Sequence, residues 1–243
     1  MNSQRLLLDR LGALSYIAAC ALLAGCPASL APVVPVAPLV NVPLVPAELA
    51  QGLAWTRRTV PGHNRLMRFR FLFQDPKRHW GGRGTARIAP PDSLRFDYVG
   101  PLGLGAGAAI VVGDSTVWAD PAQNFKTLAP GIPMLWAGLG IVRPPAPDAQ
   151  VQRGGTAERS VWRFAHGDDT LDYVATAGPP RLLEAEWRRK GKVLARSRTE
   201  FDSLALPAKA RVEFPEVLGR FELTISGVDT AATIAPAIWQ SRR

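Results

Sequence analysis

Leu94-Arg95-Phe96-Asp97-Tyr98-Val99, Gly100-Pro101-Leu102-Gly103-Leu104-Gly105-Ala106-Gly107, Ala108-Ala109-Ile110-Val111-Val112, Gly113-Asp114-Ser115 and Thr116-Val117-Trp118-Ala119-Asp120 form one run, and its reading decides the fold. Alternation in the first segment places Leu94, Phe96 and Tyr98 on one face and Arg95 and Asp97 on the other, as in a half-buried strand. Gly113-Asp114-Ser115 lies between two apolar runs and is a hairpin turn, because glycine and aspartate tolerate the backbone that a tight turn needs. The core is therefore an antiparallel meander. Its first connection is a glycine-rich loop carrying Leu102 and Leu104, two apolar side chains on a segment that proline and glycine keep out of strand and helix.

Working outward, the same alternation recurs. From Arg65 to Phe73, Met67, Phe69, Phe71 and Phe73 share one face and Arg68 and Arg70 the other, a row that can line either a core or a lipid-sized groove. Trp80-Gly81-Gly82-Arg83-Gly84 leads into a strand over 85–89, and Pro90-Pro91-Asp92-Ser93 is a turn. Past a linker at Pro144-Pro145-Ala146-Pro147, alternating segments return over 160–166, 170–176, 181–189, 192–201, 208–214 and 219–226. Ten or eleven consecutive antiparallel strands make a mainly β chain, and a sheet that long must curl. Two helices are expected. One spans 47–59; the other, Ile132–Ile141, has no charge and is apolar on every side, so it must be covered and suits the concave face of the sheet with Leu135 and Trp136 inward.

Arg5 and Arg10 precede an apolar run from Leu11 to Leu23, too short for a permanent span and the right size for a signal peptide. It ends in Leu23-Ala24-Gly25-Cys26, which looks like a bacterial lipobox with Cys26 as the lipidated residue; Cys20, after Ile17-Ala18-Ala19, is the alternative. Both cysteines fall in this leader, leaving no disulfide or thiolate metal site in the folded part. The expected organisation is a leader over 1–25, a lipidated cysteine and Pro-rich tether over 26–46, and one domain over 47–243. Proline every three to five residues from Pro32 to Pro46 favours polyproline II, a tether of roughly 60 Å if fully extended, though its apolar composition also lets it lie along the sheet or the lipid surface.

Apolar residues make up 47% of the chain, enough for a core, and the net charge of +9 suits an anionic surface. The basic residues alternate with apolar ones rather than clustering, so nucleic acid is not an expected partner. His63, His79 and His166 show no metal or catalytic spacing, and no Gly-x-Ser-x-Gly elbow occurs. The glycines at 103–107 join two strands with no helix behind them, so they do not cradle a phosphate. Asp168, Asp169 and Asp172 fit a solvated turn better than a cation site. A hydrolase would need a polar triad that is absent from the pattern. No metal and no cofactor is expected, and the chain is not expected to be an enzyme.

The lipobox, the helix after it, Trp80-x-Gly82-x-Gly84, the strand into Gly100-Pro101-Leu102-Gly103, the later apolar helix and the closing Phe221-Glu222-Leu223-Thr224-Ile225-Ser226 together resemble the LolA/LolB lipoprotein carrier superfamily, closer to LolB. The resemblance spans roughly Ala47 to Trp239. It implies a curled antiparallel half-barrel of about eleven strands, with helices covering a concave face that holds acyl chains. The cavity residues would be Met67, Phe69, Phe71, Phe73, Phe96, Tyr98, Trp118, Leu135 and Trp136. By position, the exposed loop that LolB proteins insert into lipid corresponds to Leu102 and Leu104. The implied partners are acyl chains of lipoproteins or lipids, a membrane reached through the N-terminal anchor, and a periplasmic lipoprotein carrier, with the chain itself a monomer. Pro27 follows Cys26 in place of the aspartate that retains lipoproteins in the inner membrane of many Gram-negative bacteria, so the expected location is the periplasmic face of the outer membrane. The competing expectation is a non-transporting structural or sensory envelope lipoprotein whose concave face is filled by its own helices.

Overall fold

Alternation along β2 (Arg65–Gln74) buries Met67, Phe69, Phe71 and Phe73 on one face and exposes Arg68 and Arg70 on the other. That two-sided character runs through the sheet. The computed structural model describes residues 29–33, 38–43, 45–103, 105–179 and 181–240 of the 243. The chain divides into Met1–Leu30 and Ala31–Arg243; the leader, Cys20 and Cys26 lie outside the described residues, and the second unit is described below.

Thirteen strands form one antiparallel sheet among the described residues. The N-terminal group is β2, β3 (His79–Ala89), β4 (Ser93–Val99), β5 (Gly107–Val112) and β6 (Ser115–Asp120). The C-terminal group is β7 (Gln150–Gly155), β8 (Arg159–His166), β9 (Asp169–Thr176), β10 (Leu182–Arg189), β11 (Lys192–Phe201), β12 (Pro207–Phe214) and β13 (Gly219–Asp229). β13 pairs with β2 and joins the two groups in the middle of the sheet, while β6 forms one edge and β1 (Val40–Asn41) the other. The sheet does not close, so it is an open barrel.

Two of the strands were not expected from sequence. β7 lies between the linker read at 144–147 and the first strand expected after it, and β1 lies in the Pro-rich tether, where Val40 and Asn41 pair with Arg153 and Gln152. Val33 of the same tether is buried beside Val161 and Val174 on the outer face, and its amide donates to Glu186 Oε2 at 3.3 Å. Thus Val33 and the 40–42 stretch of the tether lie along the sheet. Beneath it, the fully buried carboxylates of Asp172 and Glu186 are matched by guanidiniums: Arg163 at 2.6 Å and Arg188 at 2.5 Å on Asp172, and Arg196 at 2.6 Å on Glu186. A buried carboxylate is tolerated only when paired in this way.

Glycines set the closest packing. At Gly84, opposite Phe69, an added Cβ would stand 2.5 Å from the Phe69 ring and from the Asp97 carbonyl oxygen. At Gly82 the corresponding atom would meet the Phe71 ring at 2.8 Å. The Trp80-x-Gly82-x-Gly84 motif therefore lets two large rings lie flat across β3.

Among the described residues four short α-helices complete the unit: α1 (Pro46–Gly52), α2 (Ala54–Thr59), α3 (Ala122–Leu128) and α4 (Ile132–Gly138). The helix expected over 47–59 is broken at Leu53, and the apolar helix ends at Gly138, three residues short of its expected end. α3 and α4 lie in the connection from β6 at one edge of the sheet to β7 beside the other.

Candidate functional site

The inner face of the sheet and α4 form one apolar cluster. It includes Met67, Phe69, Phe71 and Phe73 from β2, Phe96 and Tyr98 from β4, Tyr173 and Leu183 from the C-terminal group, and Met134, Leu135 and Trp136 from α4. Rings meet edge to face and in offset stacks, as aromatic quadrupoles prefer: Phe69 and Phe96 centroids are 5.0 Å apart, Phe71 and Tyr98 6.1 Å, Phe96 and Phe125 6.2 Å. α4 is held through its C-terminal half. Trp136 Nε1 donates to the Gly113 carbonyl at 2.8 Å in the β5–β6 turn, and the Arg143 guanidinium sits 5.4 Å over the indole. Thr199 Oγ1 donates to the Ala137 carbonyl at 2.7 Å. Burial in this cluster pushes the Tyr98 and Tyr173 hydroxyls above the usual tyrosine value.

By contrast, α1 and α2 cover the same face loosely. Leu49, Leu53 and Trp55 are only half-buried, and Trp55 stacks on Trp162 with centroids 3.4 Å apart. At the end of the sheet marked by the β3–β4, β9–β10 and β11–β12 turns, these helices leave an opening of about 230 Å³. Its walls are Trp55, Leu183, Phe201 and Pro207, and Arg58, Arg65 and Arg181 stand around it. Burial pulls the Arg65 guanidinium below its ordinary value. Elsewhere, the Arg189 guanidinium holds the Asp169 carboxyl well below the usual carboxylate range through hydrogen bonds of 2.8 and 3.1 Å.

Leu102 projects from the opposite end of the strands. It lies in a 3-10 turn, Pro101–Gly103, closed by the Gly103 amide on the Gly100 carbonyl at 3.2 Å. Its φ is 56°, a left-handed conformation unusual for leucine, and its side chain is 99% exposed. Leu102 is therefore not tucked against the sheet edge. Leu104 lies outside the described residues.

Eight of the nine residues expected to line a cavity come together in the inner cluster; Trp118 does not. Trp118 opposes Ile110, which opposes Arg95, and all three are on the outer face, with the Arg95 guanidinium 6.0 Å over the Trp118 ring. A bulge between Ile110 and Val111 shifts the phase of β6 and turns the indole away. The three arginines of the opening carried no sequence signal, because only the register of the strands together with the packing of α2 brings 58, 65 and 181 to one place. Among the described residues no group of His, Cys, Asp and Glu could hold a metal ion, and no helix is long and apolar enough to cross a membrane.

No family model matches the sequence, and no curated protein matches it. Solved structures do match. A LolA superfamily protein from Nitrosomonas europaea superposes with a TM-score of 0.55 at 12% identity, over 83% of this chain and 98% of that one. A protein domain from Vibrio parahaemolyticus named for outer membrane lipoprotein sorting gives 0.54 at 9% identity, over 78% of this chain and 94% of that one. The fold is thus the LolA-like open barrel.

Proposed function

We propose that this chain is a lipid-anchored envelope protein that binds acyl chains of lipoproteins or lipids against the concave face of its sheet and assists their transfer into the outer membrane. The observation that carries this reading is one apolar concave face, with an aromatic wall from Met67 to Tyr98 in it, against which two helices of seven and six residues pack while half-exposed, α2 beside Trp162 and Leu183. Moving α1 and α2 gives acyl chains a dry surface, and burial at about 0.8 kcal/mol per CH₂ supplies ample drive for capture. The fold shared with a protein named for lipoprotein sorting supports the same reading. Anchoring through Cys26, an outer-membrane location and passage of cargo past the Leu102 loop belong to this proposal, and binding rather than covalent chemistry is its mechanism.

The complete burial of Met134 and Trp136 favours a second reading, in which α4 fills the concave face for good and the protein is a structural or sensory envelope component. One experiment separates the two. The full chain carrying Cys26→Ala is purified, extracted for bound lipid, and titrated with a fluorescent fatty acid and a diacylated peptide. Saturable uptake of either probe, blocked when α2 is disulfide-linked to β9, which lines the same opening, supports the carrier. No extracted lipid and no uptake retires it in favour of the filled core.

A further inference from the structure

Most arginines on this sheet stand on a carboxylate. Arg87 and Arg95 share Asp97, Arg163 and Arg188 share Asp172, and Arg189 takes Asp169. The three arginines around the opening beside α2 differ. Among the described residues no carboxylate lies within ion-pair distance of Arg58, Arg65 or Arg181, and no acidic residue lines the opening. Arg65 is the sharpest case, since its Nε is buried and has no hydrogen-bond partner. Asp202, in the loop beside the opening, spends its carboxylate on the amides of Leu204 and Leu206 at 2.9 Å each. Three cations with unspent donors therefore converge where Trp55, Leu183 and Phe201 make the wall apolar. Guanidiniums in such a place match a planar or tetrahedral oxyanion.

We propose that this opening binds the anionic head of a single-chain amphiphile, a carboxylate or phosphate at the end of an acyl chain, held by Arg58, Arg65 and Arg181. The inference rests on the acyl-binding reading above and adds to it the charge and the orientation of the ligand. At about 230 Å³ the opening is smaller than the usual pocket of a whole drug-sized ligand, which fits a head group and its first carbons, with the remaining chain directed under α1 and α2 along the aromatic wall. The head then sits at the end of the strands opposite Leu102, so the tail points toward the loop that faces outward there.

The test is a displacement titration of the full chain carrying Cys26→Ala with oleate, oleyl phosphate, methyl oleate and, without a chain, sodium acetate and sodium phosphate. The anionic amphiphiles should bind at least tenfold more tightly than methyl oleate, as expected when one charge-assisted contact is lost. That ratio should fall toward one in Arg65→Gln/Arg181→Gln, recover in part with Arg65→Lys, and stay unchanged in Arg83→Gln on the outer face. Equal affinity for oleate and methyl oleate overturns the head-group site while leaving acyl binding intact. Acetate or phosphate binding as well as the amphiphiles overturns it in favour of a small-oxyanion site. Binding of no compound at all overturns both this inference and the carrier reading.

Discussion

Replacing Leu102 by glutamate tests whether the projecting loop acts on lipid. The side chain is 99% exposed and its backbone is left-handed, a conformation no more costly for glutamate than for leucine. The folded state therefore loses no packing, and stability should change by less than about 0.5 kcal/mol. For a chain of this size that is about 2 °C or less in Tm. In lipid the effect is large. Withdrawing one leucine from water contributes about 1.5–3 kcal/mol, so vesicle partitioning should weaken about 10- to 150-fold, and repulsion from anionic headgroups adds to the loss. Flotation of the Cys26→Ala chain with phosphatidylglycerol vesicles reads the partitioning, and differential scanning calorimetry reads the stability. Leu102→Met should leave both unchanged. A Leu102→Glu protein that melts more than about 4 °C lower yet floats normally would refute the insertion role and make Leu102 a packing residue.

Trp136→Ala should lower stability by about 3–5 kcal/mol in urea titration, because a fully buried indole is removed and the Gly113 carbonyl loses its donor; an unchanged midpoint would mean that α4 is not a core element. Gly84→Ala should cost about 1–3 kcal/mol through crowding of the Phe69 ring, whereas Gly227→Ala, with nothing within 4 Å of the added carbon, should be nearly silent; equal effects would contradict the close approach at β3. The depressed Asp169 carboxyl contributes stability above its unfolded pKa, and this is lost as pH falls below about 4 through the folded value; Arg189→Gln should flatten that part of the acid melting profile, and an unaltered profile would show the pair to be silent. Cys26→Ala should abolish membrane fractionation and lipid labelling, and retention of both would move the anchor to Cys20.

What the sequence made legible was whatever had one face in water and one in the core. β2 and β4 alternate strictly, so Met67 to Phe73 and Leu94 to Tyr98 were assigned to the buried face without knowing their neighbours. Trp118 went wrong for a local reason. Counting by twos from the Gly113-Asp114 turn places it inside, and only the bulge, which no residue type announces, reverses it. α3 was invisible because, among its described side chains, Phe125 alone is buried beside the sheet, too little for a period of 3.6. β1 and β7 are short, and each adjoins a proline-rich stretch that argues for coil. The arginine-lined opening belongs to a different order of information. Residues 58, 65 and 181 share no motif, and only pairing along β9–β13 and β2, with α2 packed at the end of those strands, brings them into one place.

The seam between β13 and β2 also sets the order in which the molecule can be built. Gln74 meets Arg220, 146 residues later, so the centre of the sheet is made from segments that emerge far apart in time. β2 to β6 can form a local meander early, but its β2 edge then carries unpaired backbone groups along the most aromatic strand of the chain. Contacts of such long range form slowly, because the loop-closure entropy is paid before they are gained. Until Gly219–Asp229 arrives, that edge is a template for any other strand, including its copy on a neighbouring chain. A chain with this connectivity needs its unfolded form shielded for as long as the thirteenth strand is missing.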